Sequence, residues 1–304
     1  DSNYKVKLTS GDNIGVPESR CTPSTSPPGV QPHQAAQPLK QNATLPLLSI
    51  ISTGGTIAST VDYRTGAVSS KFTAEDIIRS IPELAGIAHY HTVQPFNILS
   101  ENMNPSMWQE LARTIRDEIA AGAAGVIVTH GTDTMLYSAA AVSFMLETPA
   151  PVIFVGAQRS ADRPSSDNAM NAICSAKAGV SDLGEVVVCM HATSDDVNCA
   201  LHRATRVRKN HTSRRDAFQS IGRVPVGIVS YPDGNVTLGK DAVLRGTHEL
   251  RLFDRLEPHC GLLQYYPGMN PAVFDAFSGY AGLIIAGTGL GHVGPGQYVL
   301  RPDN

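Results

Sequence analysis

Apolar and polar positions change texture twice along the chain. Tyr4 to Val16 (YKVKLTSGDNIGV) alternates with the period of a half-buried strand, breaks at Gly11-Asp12-Asn13 and resumes as a second strand. Two strands do not make a domain. Residues 1–16 are therefore expected to be the tail of a small β domain whose beginning lies upstream. Residues 17–44, rich in Pro, Ser, Gln and Thr and without a hydrophobic period, read as an exposed linker.

From Leu45 the apolar positions come in blocks. Leu45 to Ser52 (LPLLSIIS), Gly125 to Thr129 (GVIVT), Pro151 to Val155 (PVIFV) and Glu185 to Met190 (EVVVCM) are short, continuous runs, as in strands buried on both faces. Helix-length segments lie between them. One opens at Phe72-Thr73-Ala74-Glu75-Asp76, with Thr73 as cap and acids in its first turn. Another, Pro105 to Ala121, sets Met107, Leu111, Ile115 and Ile119 on one face, and a third runs from Asp133 to about Glu147. The alternation predicts an α/β fold over residues 45–234, a mainly parallel sheet covered by helices on both faces. A charged connector, 235–256, leads to the start of a second, smaller α/β domain over 257–304. Its elements are Gly261 to Tyr266, a helix near Pro271 to Phe277 and the strand Ala281 to Ala286, and it is expected to be cut short.

Charge changes the picture only locally. Lys and Arg number 24 against 27 Asp and Glu, so no strong whole-chain attraction to nucleic acid is expected, though a local one stays open. Cys21, Cys174, Cys189, Cys199 and Cys260 show no metal-knuckle or redox spacing and read as reduced thiols of a cytoplasmic protein. No stretch approaches the roughly 18 apolar residues of a membrane span. The chain opens Asp1-Ser2-Asn3, without Met or an apolar signal region, and reads as a cut inside a longer protein.

Candidate chemistry sits where strands of the sheet give way to helices, the usual ligand edge of an open α/β fold. Ser52-Thr53-Gly54-Gly55-Thr56 follows the first strand, and His130-Gly131-Thr132-Asp133-Thr134 follows Gly125–Thr129. Both place hydroxyls and backbone N–H groups where charge can gather. Neither is a phosphate loop: the chain holds no Gly-x-x-x-x-Gly-Lys-Ser/Thr, and Thr-Gly-Gly-Thr is not Gly-x-Gly-x-x-Gly. Alone, each loop reads as a tight turn or a helix cap; together, on one sheet, they favour a site. A third element is the basic run Leu201 to Arg215 (LHRATRVRKNHTSRR), which carries six Lys or Arg in fifteen residues. Most of it reads as solvated surface. A lysine brought beside Asp133 and a hydroxyl can instead handle protons for that hydroxyl.

Thr53-Gly54-Gly55-Thr56-Ile57-Ala58, followed by Thr129-His130-Gly131-Thr132-Asp133-Thr134-Met135, resembles the paired signature of the L-asparaginases. The likeness runs from about residue 46 to the C-terminus, with both motifs in order. It implies an asparaginase-like fold and an amidohydrolase with Thr53 as nucleophile. Thr132, Asp133 and Lys209 would form a second, proton-handling triad, and backbone N–H groups around Gly55 and Thr132 would hold the oxyanion. Lys209 is placed by counting back from Ala217-Phe218-Gln219-Ser220-Ile221, which is similar to a segment beyond the family's triad lysine. Tyr63 falls where the family has its lid-loop tyrosine. Ser100 and Glu101 fall where it grips the substrate's amino and carboxylate groups. Tyr63 as a surface turn and Glu101 as a helix-start acid remain the alternatives.

Val61 to Val68, Phe96 to Met103 and His202 to Phe218 resemble one branch of the family, the D subunits of archaeal glutamyl-tRNA(Gln) amidotransferases, more than stand-alone asparaginases. That likeness implies glutamine or asparagine as substrate and a homodimer. It also implies an E partner subunit carrying ATP and Mg, charged tRNA(Gln) reached through the complex, and no metal or organic cofactor for amide hydrolysis. The family's acidic group from a neighbouring subunit's C-terminal domain is expected beyond residue 304. A stand-alone L-asparaginase is the alternative, and a subunit that kept the fold and lost activity is a third reading.

Overall fold

The apolar blocks become adjacent strands of one sheet. The computed structural model describes residues 3–7, 13–17, 19, 41–54, 59–61, 68–70, 74–160 and 165–294. In chain order these hold β1 (Asn3–Lys7), β2 (Asn13–Pro17), β3 (Leu47–Ser52), β4 (Ser59–Val61), β5 (Val68–Ser70), α1 (Ala74–Ser80), β6 (His89–Val93) and α2 (Pro105–Ala120). Next come β7 (Gly125–Thr129), α3 (Met135–Met145), β8 (Leu146–Glu147), β9 (Val152–Val155), α4 (Asn168–Gly179), β10 (Val186–His191) and β11 (Asn198–Arg203). The remainder are β12 (Val207–Lys209), β13 (Phe218–Ser220), β14 (Gly227–Ser230), β15 (Val236–Leu238), β16 (Arg251–Leu252), β17 (Cys260–Gln264) and β18 (Gly282–Ala286).

The main sheet has eight strands in the order β15-β14-β11-β10-β9-β7-β3-β6. From β6 to β10 every pairing is parallel, and the asparaginase-like α/β architecture expected from the sequence is present. Beyond β10 the sheet turns antiparallel through β11, β14 and β15. The central strands β7, β9 and β10 are buried along their whole length, because helices cover both faces, while β6 at the sheet edge is mostly half-buried or exposed. Register shows how. Ile50, Ile127, Ile153 and Val187 share one row, on the face packed by residues of α1 and α4. Ser49, in register with Val126 on the opposite face, donates to Glu118 of α2.

Local chemistry sets the helix boundaries. Asn104 caps α2 by accepting from the Met107 N–H, and Pro105 stands at the first helical position, where no N–H is needed. Leu111, Ile115 and Ile119 are buried as the pattern predicts, while Met107 is half-buried. The helix expected over 133–147 is shorter. Thr134 precedes its first residue, and its hydroxyl donates to the Ser100 carbonyl instead of capping the helix. At the other end Leu146 and Glu147 leave the helix to pair with β16. Tertiary partners outweigh helix propensity at both ends. Thr73, expected as the cap of α1, lies outside the described residues.

β1 and β2 pair antiparallel, with Tyr4 opposite Val16, as their alternation predicts. The chain divides into two compact units, residues 1–254 and 255–304. In the second, β17 and β18 run parallel, joined through a 3-10 helix over Pro271–Phe277. Among the described residues no helix is long and apolar enough to cross a membrane.

Candidate active site

β3 and β7 are parallel neighbours with Ser52 opposite Thr129, so the loops that leave them emerge side by side. Thr53 is the first residue past β3 and is 2% exposed. Its N–H donates to the Thr129 carbonyl at 3.1 Å, and its hydroxyl donates to the same oxygen at 3.0 Å. The Thr53 carbonyl in turn accepts the Ile98 N–H at 3.0 Å. Gly54 follows at φ +110°, and a Cβ there would stand 2.4 Å from the Ile98 carbonyl oxygen. Only glycine lets segment 97–100 lie this close to the loop. Gly55 and Thr56 lie outside the described residues, as does Tyr63.

The second loop is braced from two sides. Gly131 faces Ser100, where an added Cβ would fall 2.7 Å from the Ser100 Cβ, and the Thr134 hydroxyl reaches the Ser100 carbonyl at 2.6 Å. Gly156, at the end of β9, lies against the Thr132 methyl and the His130 carbonyl. His130 is fully buried and donates through Nδ1 to the Gly131 carbonyl at 2.7 Å. Burial pushes its pKa down to about 4, against an upward pull from that hydrogen bond. A neutral His130 therefore shapes the loop from behind.

Lys209 completes the arrangement. It is the last residue of β12, in a two-stranded ribbon with β13 that sets Lys209 opposite Phe218. Its Nζ donates to Thr132 Oγ1 at 2.8 Å and to Asp133 Oδ1 at 2.7 Å. The two partners of this ion pair differ in burial. The Lys209 side chain is 9% exposed and that of Asp133 is 73% exposed. An ion pair with one arm in solvent adds little stability, yet it leaves a carboxylate face open to a ligand. An open pocket of about 410 Å3 lies here, lined among others by Asp133, Tyr137, Arg208, Lys209 and His211.

Thr132, Asp133 and Lys209 are thus in direct contact, and Thr53 stands on the adjoining strand end. Among the described residues, no hydrogen bond links Thr53 to the other three. Ser100 is buried against Gly131, and Glu101, the next residue of the 3-10 turn Ser100–Asn102, is exposed. Of the basic run, Leu201, His202, Ala204 and Val207 are buried, so it is threaded into the fold. Arg203 pairs with Glu185, Arg214 with Asp216 and Arg215 with Asp196. Gln158, which bonds the turn after Lys209, and the linked Asp167, Asn171 and His191 escaped the sequence reading. The signal was a polar side chain set within apolar surroundings, Asn171 in α4 and His191 at the end of β10.

Comparison with known proteins agrees with this geometry. The family profile described as asparaginase, N-terminal, matches residues 47–243. The chain is 52% identical over 309 residues to a protein from Halobacterium salinarum named as the D subunit of glutamyl-tRNA(Gln) amidotransferase, covering 96% of this chain and 72% of that one. It is 56% identical over 262 residues to the protein of the same name from Methanosarcina mazei, covering 84% of this chain and 62% of that one. Among solved structures, the thermostable L-asparaginase from Thermococcus kodakarensis superposes with a TM-score of 0.70 at 27% identity, covering 82% of this chain and 73% of that one.

Proposed function

The chain belongs to the asparaginase family, and from that premise we propose that it is the amide-hydrolysing part of a glutamyl-tRNA(Gln) amidotransferase D subunit, acting in the cytoplasm. The observation that carries the reading is the single amine of Lys209 within hydrogen-bond distance of both Thr132 and Asp133, one strand away from Thr53.

An amide is a poor electrophile with a poor leaving group, so hydrolysis needs a nucleophile, an oxyanion site and a proton for the departing nitrogen. In this reading the Thr53 hydroxyl leaves the Thr129 carbonyl and its oxygen attacks the side-chain amide carbon. Backbone N–H groups beside Thr132 hold the oxyanion. Lys209, oriented by Asp133, takes up the proton that Thr53 gives up and relays it through the Thr132 hydroxyl to the nitrogen, and the C–N bond breaks to release ammonia. Water then attacks the acyl-threonine ester, which regenerates Thr53 and frees the carboxylic acid. Ser100 and Glu101 would hold the amino and carboxylate groups of the substrate, and Tyr63 would close over it. The step runs through the chain's own side chains and backbone N–H groups, with ATP and Mg assigned to the partner E subunit. The protein would act as a homodimer, with charged tRNA(Gln) bound through the complex.

A stand-alone L-asparaginase is the second reading, favoured by the structural likeness to one. Identity argues for the first: 52–56% to the named D subunits against 27% to the asparaginase. Ammonia release from glutamine and from asparagine, with and without an E subunit, ATP and Glu-tRNA(Gln), separates them. Glutamine hydrolysis that rises on adding the partner supports the D-subunit reading. Full asparagine turnover without the partner supports the second, and no ammonia from either amide overturns both.

A further inference from the structure

The segment that presents Lys209 is held in a closed circuit of hydrogen bonds. Residues 210–217 turn the chain from β12 to β13, and the Asn210 N–H donates to the Ala217 carbonyl at 2.8 Å. Two side chains from elsewhere fasten this turn. The Gln158 Nε2 donates to the Arg214 carbonyl at 2.8 Å and to the His211 carbonyl at 3.4 Å. Arg215 reaches out of the turn, donating to Asp196 Oδ1 at 2.6 Å and to the Ser194 carbonyl.

Both fastenings lead to one buried hub. Asp167, Asn171 and His191 are each 0% exposed. The Asp167 carboxylate accepts the Gln158 N–H at 3.0 Å, the Arg159 N–H at 3.0 Å and Asn171 Nδ2 at 2.9 Å. Asn171 Nδ2 also donates to the Gly156 carbonyl, which turns its Oδ1 toward His191 Nδ1 at 2.6 Å. His191 Nε2 meets Asp196 Oδ1 at 3.0 Å, the oxygen that Arg215 also holds. The circuit therefore runs from the turn through Gln158, Asp167, Asn171, His191, Asp196 and Arg215 back to the turn.

A buried carboxylate held by N–H donors alone is costly to desolvate, and a core of apolar side chains would be the cheaper filling. Its placement explains it. The same hub anchors Gly156, whose Cα lies against Thr132, and the turn that follows Lys209. One network thereby sets both partners of the Lys209–Thr132 hydrogen bond.

We propose that Gln158 and Arg215 are positioning residues that hold Lys209 in register with Thr132 and Asp133. The role rests on the amidase reading above, and neither side chain touches substrate in it. A misplacement of about 1 Å at such a site costs about 100-fold in turnover.

The test uses the full-length protein. Gln158→Met keeps the volume, removes both N–H donors and also removes an Oε1 that is buried without a partner. Its melting temperature should stay near that of the parent, whereas kcat for ammonia release should fall about 100-fold with KM little changed. Arg215→Ala should do the same and Arg215→Lys should recover part of the loss. In both losing variants the amides of 210–217 should exchange hydrogen faster, with α4 unaffected. Parental kcat in Gln158→Met and Arg215→Ala overturns the inference, as does a stability loss with kcat intact. If the parent releases no ammonia, the amidase reading has failed instead. Hydrogen exchange then still decides whether the circuit holds the turn, and unchanged exchange at 210–217 sinks that claim by itself.

Discussion

Lys209 and Asp133 meet at 2.7 Å from opposite environments, the lysine almost wholly enclosed and the carboxylate open to solvent. The amine hydrogen-bonds to both Thr132 and Asp133, so a proton can pass between it and either partner. The exposed side of the carboxylate remains free to meet a bound molecule. An ion pair with one charge in solvent adds little to stability.

If the three groups act as one unit, their losses will not add. Lys209→Met and Asp133→Asn are each expected to lower turnover by about 10³-fold or more, with the double variant hardly worse than the worse single one. Steady-state ammonia release from the three variants measures this, and simply additive losses would show three independent roles.

Thr53→Ala should abolish ammonia release and leave the fold intact, since the lost hydroxyl donates only to the Thr129 carbonyl, which keeps the Thr53 N–H as a donor. Thr53→Ser should retain part of the activity. Mass spectrometry of acid-quenched parent protein should detect an acyl group on residue 53. Substantial turnover in the alanine variant would transfer the nucleophile's role to Thr132.

Gly54→Ala tests the approach of segment 97–100. The backbone conformation alone costs an alanine about 1–3 kcal/mol, and its Cβ would also displace the Ile98 carbonyl from 2.4 Å. Urea melts should record a loss of at least that conformational cost, accompanied by lower activity. Unchanged stability would mean that 97–100 does not pack against the loop.

Acid should destabilise the protein over a defined window. Burial holds both His130 and His202 at a pKa of about 4, below the 6.5 of the free side chain. Between pH 6.5 and 4 the unfolded chain binds these protons and the folded chain does not, so stability is full above 6.5 and falls as the pH drops. The slope is about 1.4 kcal/mol per pH unit for each histidine. Melts of His202→Gln should show a shallower decline than the parent across that window.

The paired arginines of the basic run should behave as parts of the fold. Arg203 donates twice to Glu185, whose side chain is 11% exposed, and once to the Asp241 carbonyl. Arg203→Ala is expected to cost about 1–3 kcal/mol by leaving that carboxylate short of donors. Thermal melts should show the loss, and the salt dependence of binding to a partner subunit should not move.

What the sequence determined by itself is the repeating strand–helix order and two of the site loops. A parallel strand buried on both faces must be continuously apolar, so GVIVT and EVVVCM announce themselves, and so do the hydroxyl-rich loops that follow Leu45–Ser52 and Gly125–Thr129. The family likeness of Ala217 to Ile221 also picked out Lys209, 77 residues beyond Thr132. Tertiary structure decided the rest, because it concerns partners rather than patterns. No period in the basic run distinguishes Arg203, Arg214 and Arg215, which find carboxylates, from Arg206 and Arg208, which have no ion pair among the described residues. The helix after Asp133 is trimmed by Ser100 and β16, partners remote in sequence. The circuit joins Asp167 and Asn171, at the start of α4, to His191 at the end of β10. Asn171 and His191 are polar among apolar neighbours, and only packing at 0% exposure turns them and Asp167 into one network.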